Sequence, residues 1–147
     1  MAEVKVSVDV GANPETCYKI ASEMEQFPEF MSDVEDVTVE DQGEDWTLTR
    51  WKSQFQGRPI EWVERDEFDD ENLLITFEQT EGDLKTFTGR WSFADDGEGG
   101  CKIALSVEAS LGIPVLSAAL DPMVEKAVTE NCEQMLQAIK ARAEEKE

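Results

Sequence analysis

The order of its periodic segments constrains this chain more than any other feature. Val4, Val6, Val8 and Val10 alternate strictly, as in a half-buried strand, and the chain then turns helical at Asn13-Pro14-Glu15. From Val34 to about Leu111 every periodic stretch reads as strand, and from Asp121-Pro122 to the end it reads as helix. A single helix cannot fully cover an antiparallel sheet of about half a dozen strands, so such a sheet must curl around it. That arrangement commonly leaves a cavity between sheet and helix, which is where function is expected.

The local signals fill in this frame. Asn13 can cap the first helix, Pro14 fits its first position and Glu15 complements the dipole. Cys17, Ile20, Ala21 and Met24 then share a face, and the hydroxyl of Tyr18 is expected in water. Phe27-Pro28-Glu29-Phe30-Met31 forms a second short helical turn that plugs one end of the core. Val37 and Val39 share a face of the next strand, which ends at the polar turn Asp41-Gln42-Gly43-Glu44-Asp45. Trp46, Leu48 and Arg50 follow on one strand face, taken as the core-facing one, with Thr47, Thr49 and Trp51 on the other. From Pro59 to Phe68 the faces mix, Ile60 and Trp62 alternating with Glu61, Val63 and Arg65. Three further strands carry Ile75 and Phe77, then Phe87, Gly89, Trp91 and Phe93, then Ile103, Leu105, Val107 and Ala109. Hairpins at such short intervals argue for an antiparallel meander. Gly112 and Pro114 turn the chain back onto the sheet, and Val124, Ala127, Val128, Met135, Ala138 and Ile139 form a helical stripe running to about Ala143.

Composition narrows the chemistry. The 147 residues read as one domain, 1–147, with no linker, repeat or low-complexity block. The absence of histidine removes His-based acid/base catalysis, Ser-His-Asp triads and the usual zinc and haem ligand sets. Cys17, Cys101 and Cys132 are odd in number and form no C-x-x-C pair, so reduced thiols are expected. The Gly-rich loop Asp95 to Gly100 lacks the Gly-Lys-Ser/Thr of a phosphate loop and the terminal Glu of a calcium loop. No metal or cofactor is expected. The net charge of −21 repels phosphate backbones and anionic membranes, so nucleic-acid binding is not expected. Acidic residues spread through every segment resemble proteins of salt-loving microorganisms, in which brine screens self-repulsion. No apolar run approaches membrane-spanning length and the N-terminus does not read as a signal peptide, so the expected address is the cytoplasm. With 34 acidic residues any carboxylate spacing arises by chance, so no acid pair is singled out.

The order of elements, together with Trp62-Val63-Glu64-Arg65 and Gly89-Arg90-Trp91-Ser92-Phe93, resembles the polyketide cyclase/dehydrase branch of the START-like superfamily. The likeness covers nearly the whole chain and extends to coenzyme Q-binding proteins and aromatase/cyclases. It implies an α+β helix-grip fold, a curved antiparallel sheet of about seven strands wrapped round a long C-terminal helix, with two short helices after the first strand. The aromatase/cyclases carry a Trp-x-Ser-x-Arg phrase whose arginine is held to polarise polyketide carbonyls. Arg65 is the expected counterpart here, one residue closer to its Trp62 and without the serine, and it also fits an arginine near this place in the coenzyme Q-binding relatives.

The expected function is binding of a hydrophobic small molecule, a lipid, quinone or polyketide-like compound, in a pocket between sheet and C-terminal helix. Its expected walls are Trp46, Leu48, Trp62, Phe77, Phe87, Trp91 and Val107, with Arg50 or Asn131 as polar contacts. Two alternatives stand beside it. One is a polyketide aromatase/cyclase that folds a chain and stabilises an enolate through Arg65 or Arg50. The other is an antitoxin-like or ribosome-associated interaction protein. Monomer and homodimer both remain open.

Overall fold

The computed structural model describes residues 2–55, 58–110 and 114–146; the side chains of 2, 55, 58, 114–121 and 146 are left out of account. Seven strands, β1 Ala2–Val10, β2 Val34–Gln42, β3 Trp46–Phe55, β4 Arg58–Asp69, β5 Leu74–Gly82, β6 Thr86–Asp95 and β7 Cys101–Ser110, form one sheet in the order β1-β7-β6-β5-β4-β3-β2. Every neighbouring pair is antiparallel. Strands β2 to β7 are thus a meander, while β1 crosses to the far edge and pairs with β7. The crossing is made by α1 Pro14–Ser22, a 3-10 turn Met24–Gln26 and α2 Phe27–Phe30. The expected cap of α1 forms, with Asn13 Oδ1 accepting from the Thr16 amide at 2.8 Å.

One long helix, α3 Pro114–Lys146, packs against the concave face of this sheet. Val128, Met135 and Ile139 of the expected stripe are buried, as are Cys132 and Leu136, while Val124 is partly buried. The start of α3 corrects the sequence reading. Asp121-Pro122 looks like a cap followed by a first-turn proline, yet Pro122 lies inside the helix, which begins at Pro114. An internal proline removes one backbone hydrogen bond but does not end a helix by itself, and Pro114 supplies the same first-position signal earlier. The turn assigned to Gly112 falls outside the described residues.

The sheet's inner face follows the period of two on β7, where Cys101, Ile103, Leu105, Val107 and Ala109 are all buried. On β5 and β6 a close approach shapes this face. Phe77 stands opposite Gly89 in register, and any Cβ on Gly89 would strike the Phe77 ring. Glycine therefore lets that ring lie flat on β6. Tyr18 departs from expectation: it is buried, its hydroxyl donates to Asp70 Oδ1 at 2.6 Å, and its ring meets Phe93 edge-on. Burial and the neighbouring carboxylate raise its pKa.

Candidate functional site

The inner face of β3 and β4 builds a site that hydrophobic patterning alone does not announce. Trp46 and Trp51 stand an odd number of positions apart on the strand, so they cannot share a face. The chain buries Trp51, together with Thr49 and Ser53, and turns Trp46, Leu48 and Arg50 outward. This corrects the expected pocket wall. Arg50 is exposed and pairs with Glu40 at 2.7 Å and Glu81 at 3.4 Å. Arg65 stacks over the half-buried Trp46 ring at 4.3 Å and pairs with Glu67 at 3.2 Å. Trp46 is thereby an outer-face residue shielded by a cation, and Leu48 lies half-buried on the same side.

On β4 the inner parity runs Trp62, Glu64, Asp66. Glu64 is 3% and Asp66 0% exposed. Counted from Trp62, the arginine place of the Trp-x-Ser-x-Arg phrase falls on Asp66, and the serine place on Glu64, whereas Arg65 points away. Arg65, the nearest counterpart in sequence, lies on the face opposite Trp62, as the shortened spacing requires, and the inward place of the phrase's arginine carries a carboxyl instead.

These carboxyls sit in a defined network. Trp62 Nε1 donates to Glu64 Oε1 at 2.7 Å. Asp66 Oδ2 accepts from Thr49 Oγ1 at 2.6 Å and Thr47 Oγ1 at 3.0 Å, and Trp51 Nε1 donates to Thr49 Oγ1 at 2.8 Å. Asp66 Oδ1 is buried without an N–H or hydroxyl facing it. A protonated Glu64 supplies the missing donor. Burial raises the Glu64 pKa well above the ordinary carboxylate range, and repulsion by Asp66 and donation to it push in the same direction. Burial raises Asp66 as well, against the donors Glu64, Thr49 and Thr47 that favour its charge. Glu64 is thus the carboxyl of the pair that more strongly favours its proton, while the donors on Asp66 favour its charge.

Glu64 faces a cavity of about 30 Å³ between the sheet and α3. Trp51 and Ser53 come from β3, Trp62 from β4, Phe77 from β5, Phe87 and Trp91 from β6, and Leu105 and Val107 from β7. Asn131, Cys132 and Met135 of α3 and Met24 close it. Trp62, Phe77, Phe87, Trp91, Val107 and Asn131 are therefore brought together as the sequence reading expected; Trp46, Leu48 and Arg50 are not. Trp51 and Trp62 stack at 5.5 Å and 9°, and Phe87 meets Trp62 at 5.1 Å. Asn131 Nδ2 donates to Ser53 Oγ at 3.3 Å, which in turn donates to the Asp33 carbonyl at 2.8 Å. The Cys132 thiol is pushed up to about 12 by burial. Outside the cavity, a cleft of about 270 Å³ lies between the 3-10 turn and strands β2 and β3, lined by Glu23, Met24, Glu25, Val39, Thr47 and Thr49 among others. Met24 lines both spaces.

Sequence reasoning missed Glu64, Asp66 and Trp51. The available signal was parity: residues two and four beyond Trp62 share its face.

Comparison with known proteins follows this geometry. Residues 1–144 match the model of a family described as polyketide cyclase/dehydrase and lipid transport. A crystallised protein from Thermus thermophilus, TTHA0849, is 31% identical, superposes with a TM-score of 0.89, and the match covers 96% of each chain. The Zhui aromatase/cyclase from a Streptomyces species is 19% identical with a TM-score of 0.88, over 98% of this chain and 94% of that one. A START superfamily protein from Mycobacterium smegmatis is 19% identical with a TM-score of 0.84, over 100% of both chains. The last two likenesses show the helix-grip fold. No curated protein matches the sequence significantly.

Proposed function

Because the chain belongs to the polyketide cyclase/dehydrase and lipid transport family, we propose that it binds a hydrophobic small molecule, a lipid, quinone or polyketide-like compound, between the concave sheet face and α3. The observation that carries this reading is the stacked aromatic wall of Trp51, Trp62 and Phe87 around a space into which a buried carboxyl projects. Ligand sites characteristically combine such apolar walls with a few placed polar groups.

The cavity, about 30 Å³, is far smaller than the roughly 300 Å³ that ligand pockets usually exceed. Binding therefore requires the walls to part. Met24 is the side chain to move, since it lines both this cavity and the outer cleft of about 270 Å³. Methionine is unbranched and adapts its rotamers readily. Turning it aside would open the cavity toward that cleft.

Binding is better supported than arginine-assisted cyclisation. Arg50, Arg65 and Arg90 lie exposed on the outer side of the sheet, and among the described residues no lysine or arginine lines the cavity. An enolate formed inside would meet Glu64, with the buried Asp66 behind it, and no cation to stabilise it among the described residues. The test is native mass spectrometry of the purified protein, combined with an environment-sensitive apolar dye. A co-purifying apolar mass, or dye fluorescence displaced by quinones or long-chain lipids, supports the reading. Met24→Trp, which fills the passage, should slow dye uptake. A folded protein that binds neither dye nor lipid overturns it.

A further inference from the structure

Resting on the reading that the cavity holds an apolar molecule, we propose that the Glu64–Asp66 pair is its polar subsite. Glu64, backed by Asp66, selects an apolar ligand whose head group donates a hydrogen bond, a hydroxyl or an ammonium, over ligands headed by a carboxylate or phosphate.

The argument begins with what the wall can offer. The Ser53 hydroxyl already donates to the Asp33 carbonyl, and Asn131 Nδ2 donates to Ser53. Asp66 Oδ1 is buried without a donor, and a proton on Glu64 would satisfy it. Glu64 Oε1 accepts from Trp62, which leaves lone pairs of its carboxyl facing the cavity. The site is therefore rich in acceptors. Behind Glu64 lies the buried Asp66, which does not itself line the cavity, and no described lysine or arginine lines the cavity to offset its charge. A ligand hydroxyl or ammonium adds a charge-assisted hydrogen bond to this arrangement. A ligand carboxylate would bring a second negative charge into a space of low dielectric with nothing to pair it.

The inference stands apart from the general surface charge. The net charge of −21 attracts every cation, but that attraction fades at about 1 M salt, where the Debye length is about 3 Å. A buried pair is screened much less.

The experiment compares four probes with the same ring system, naphthalene, naphthol, naphthylmethylammonium and naphthoate, by calorimetry on the full chain at about 1 M potassium chloride. Naphthol and naphthylmethylammonium should bind about tenfold or more tightly than naphthalene, and naphthoate more weakly than naphthalene by at least that factor. Naphthol ahead identifies a neutral donor as the preferred head, and the ammonium ahead identifies a cation. In Asp66→Asn, whose folding is checked by circular dichroism, the spread should shrink to within about threefold, whereas Glu64→Gln, which keeps the carbonyl acceptor and the Asp66 charge, should retain most of it. Naphthalene binding with a flat ranking, or naphthoate binding as well as naphthol, overturns this inference and leaves the binding reading intact. Binding by none of the four overturns both. The wild-type ranking decides the matter even if a variant does not fold.

Discussion

Replacing Glu64 by Gln should change how stability depends on pH, and the direction follows from the geometry of the acid pair. Glu64 is 3% exposed, and burial, Asp66 repulsion and donation to Asp66 all raise its pKa in the folded protein. A carboxyl raised on folding contributes stability that is complete below the unfolded value, near 4.3, and is lost as pH climbs toward the folded value. Each proton held only by the folded chain costs about 1.4 kcal/mol per pH unit over that interval. Between about pH 5.5 and 7.5 the loss amounts to roughly 2–3 kcal/mol if Glu64 stays protonated throughout. The window is unusually clean. The chain has no histidine, unfolded thiols titrate near 8.5, and Cys132, which shares the cavity, is pushed up to about 12. The other neighbours of Glu64, namely Thr49 across β3, Gln79 across β5, Trp62 beside it and Met135 from α3, do not titrate; only Asp66 does. Glutamine keeps a carbonyl to accept from Trp62 and an amide to donate to Asp66, but releases no proton. The variant should therefore lose about one proton's worth of slope and be the more stable protein at pH 7.5. Urea unfolding followed by tryptophan fluorescence, at fixed high salt across this window, measures both curves. A wild-type curve that is flat, or a variant with the same slope, would refute the shared-proton reading.

Three other expectations can be checked alongside. Val128, 1% exposed on the buried face of α3, should not tolerate Asp: the unpaired charge should prevent stable folding, seen as loss of the cooperative melt. Stability should rise steadily as potassium chloride goes from about 0.1 M to above 1 M, because the Debye length falls from about 10 Å to about 3 Å and like-charge repulsion is screened. The exposed pairs Arg50–Glu40 and Lys140–Glu144 would weaken under the same change, so a melting temperature that is flat or falling counts against a brine adaptation. Trp91→Phe removes part of the cavity wall and should alter apolar dye affinity, whereas Arg90→Ala, next in sequence but exposed, should leave it unchanged. Equal effects from the two would argue against dye binding in this cavity.

How much the chain discloses in advance depends on whether polarity and burial agree. On β7 and along α3 they do: Ile103, Leu105 and Val107, and likewise Val128, Met135 and Ile139, are apolar because they face the core, so the period alone locates them. On β3 they disagree. Two tryptophans of opposite parity compete for the inner face, and hydrophobicity favours Trp46 with Leu48 over Thr49 with Trp51. The structure reverses that order because Arg65 covers Trp46 from outside, while Thr47 and Thr49 are needed inside as donors to Asp66. On β4 the conflict is sharper, since the inner face carries two carboxyls, and in a chain with 34 acidic residues neither stands out. The helix start at Pro114 escapes for a different reason, because a proline inside a helix and a proline beginning one are the same letter. These failures are linked. Once Trp62 is known to face inward, parity alone buries Glu64 and Asp66, and their burial in turn demands hydroxyl donors at Thr47 and Thr49, which fixes the face of β3 and expels Arg50. The polar residues that mislead a hydrophobic reading are thus the ones that determine the register of the site. Such breaks between pattern and burial are where function is to be sought in a fold of this kind.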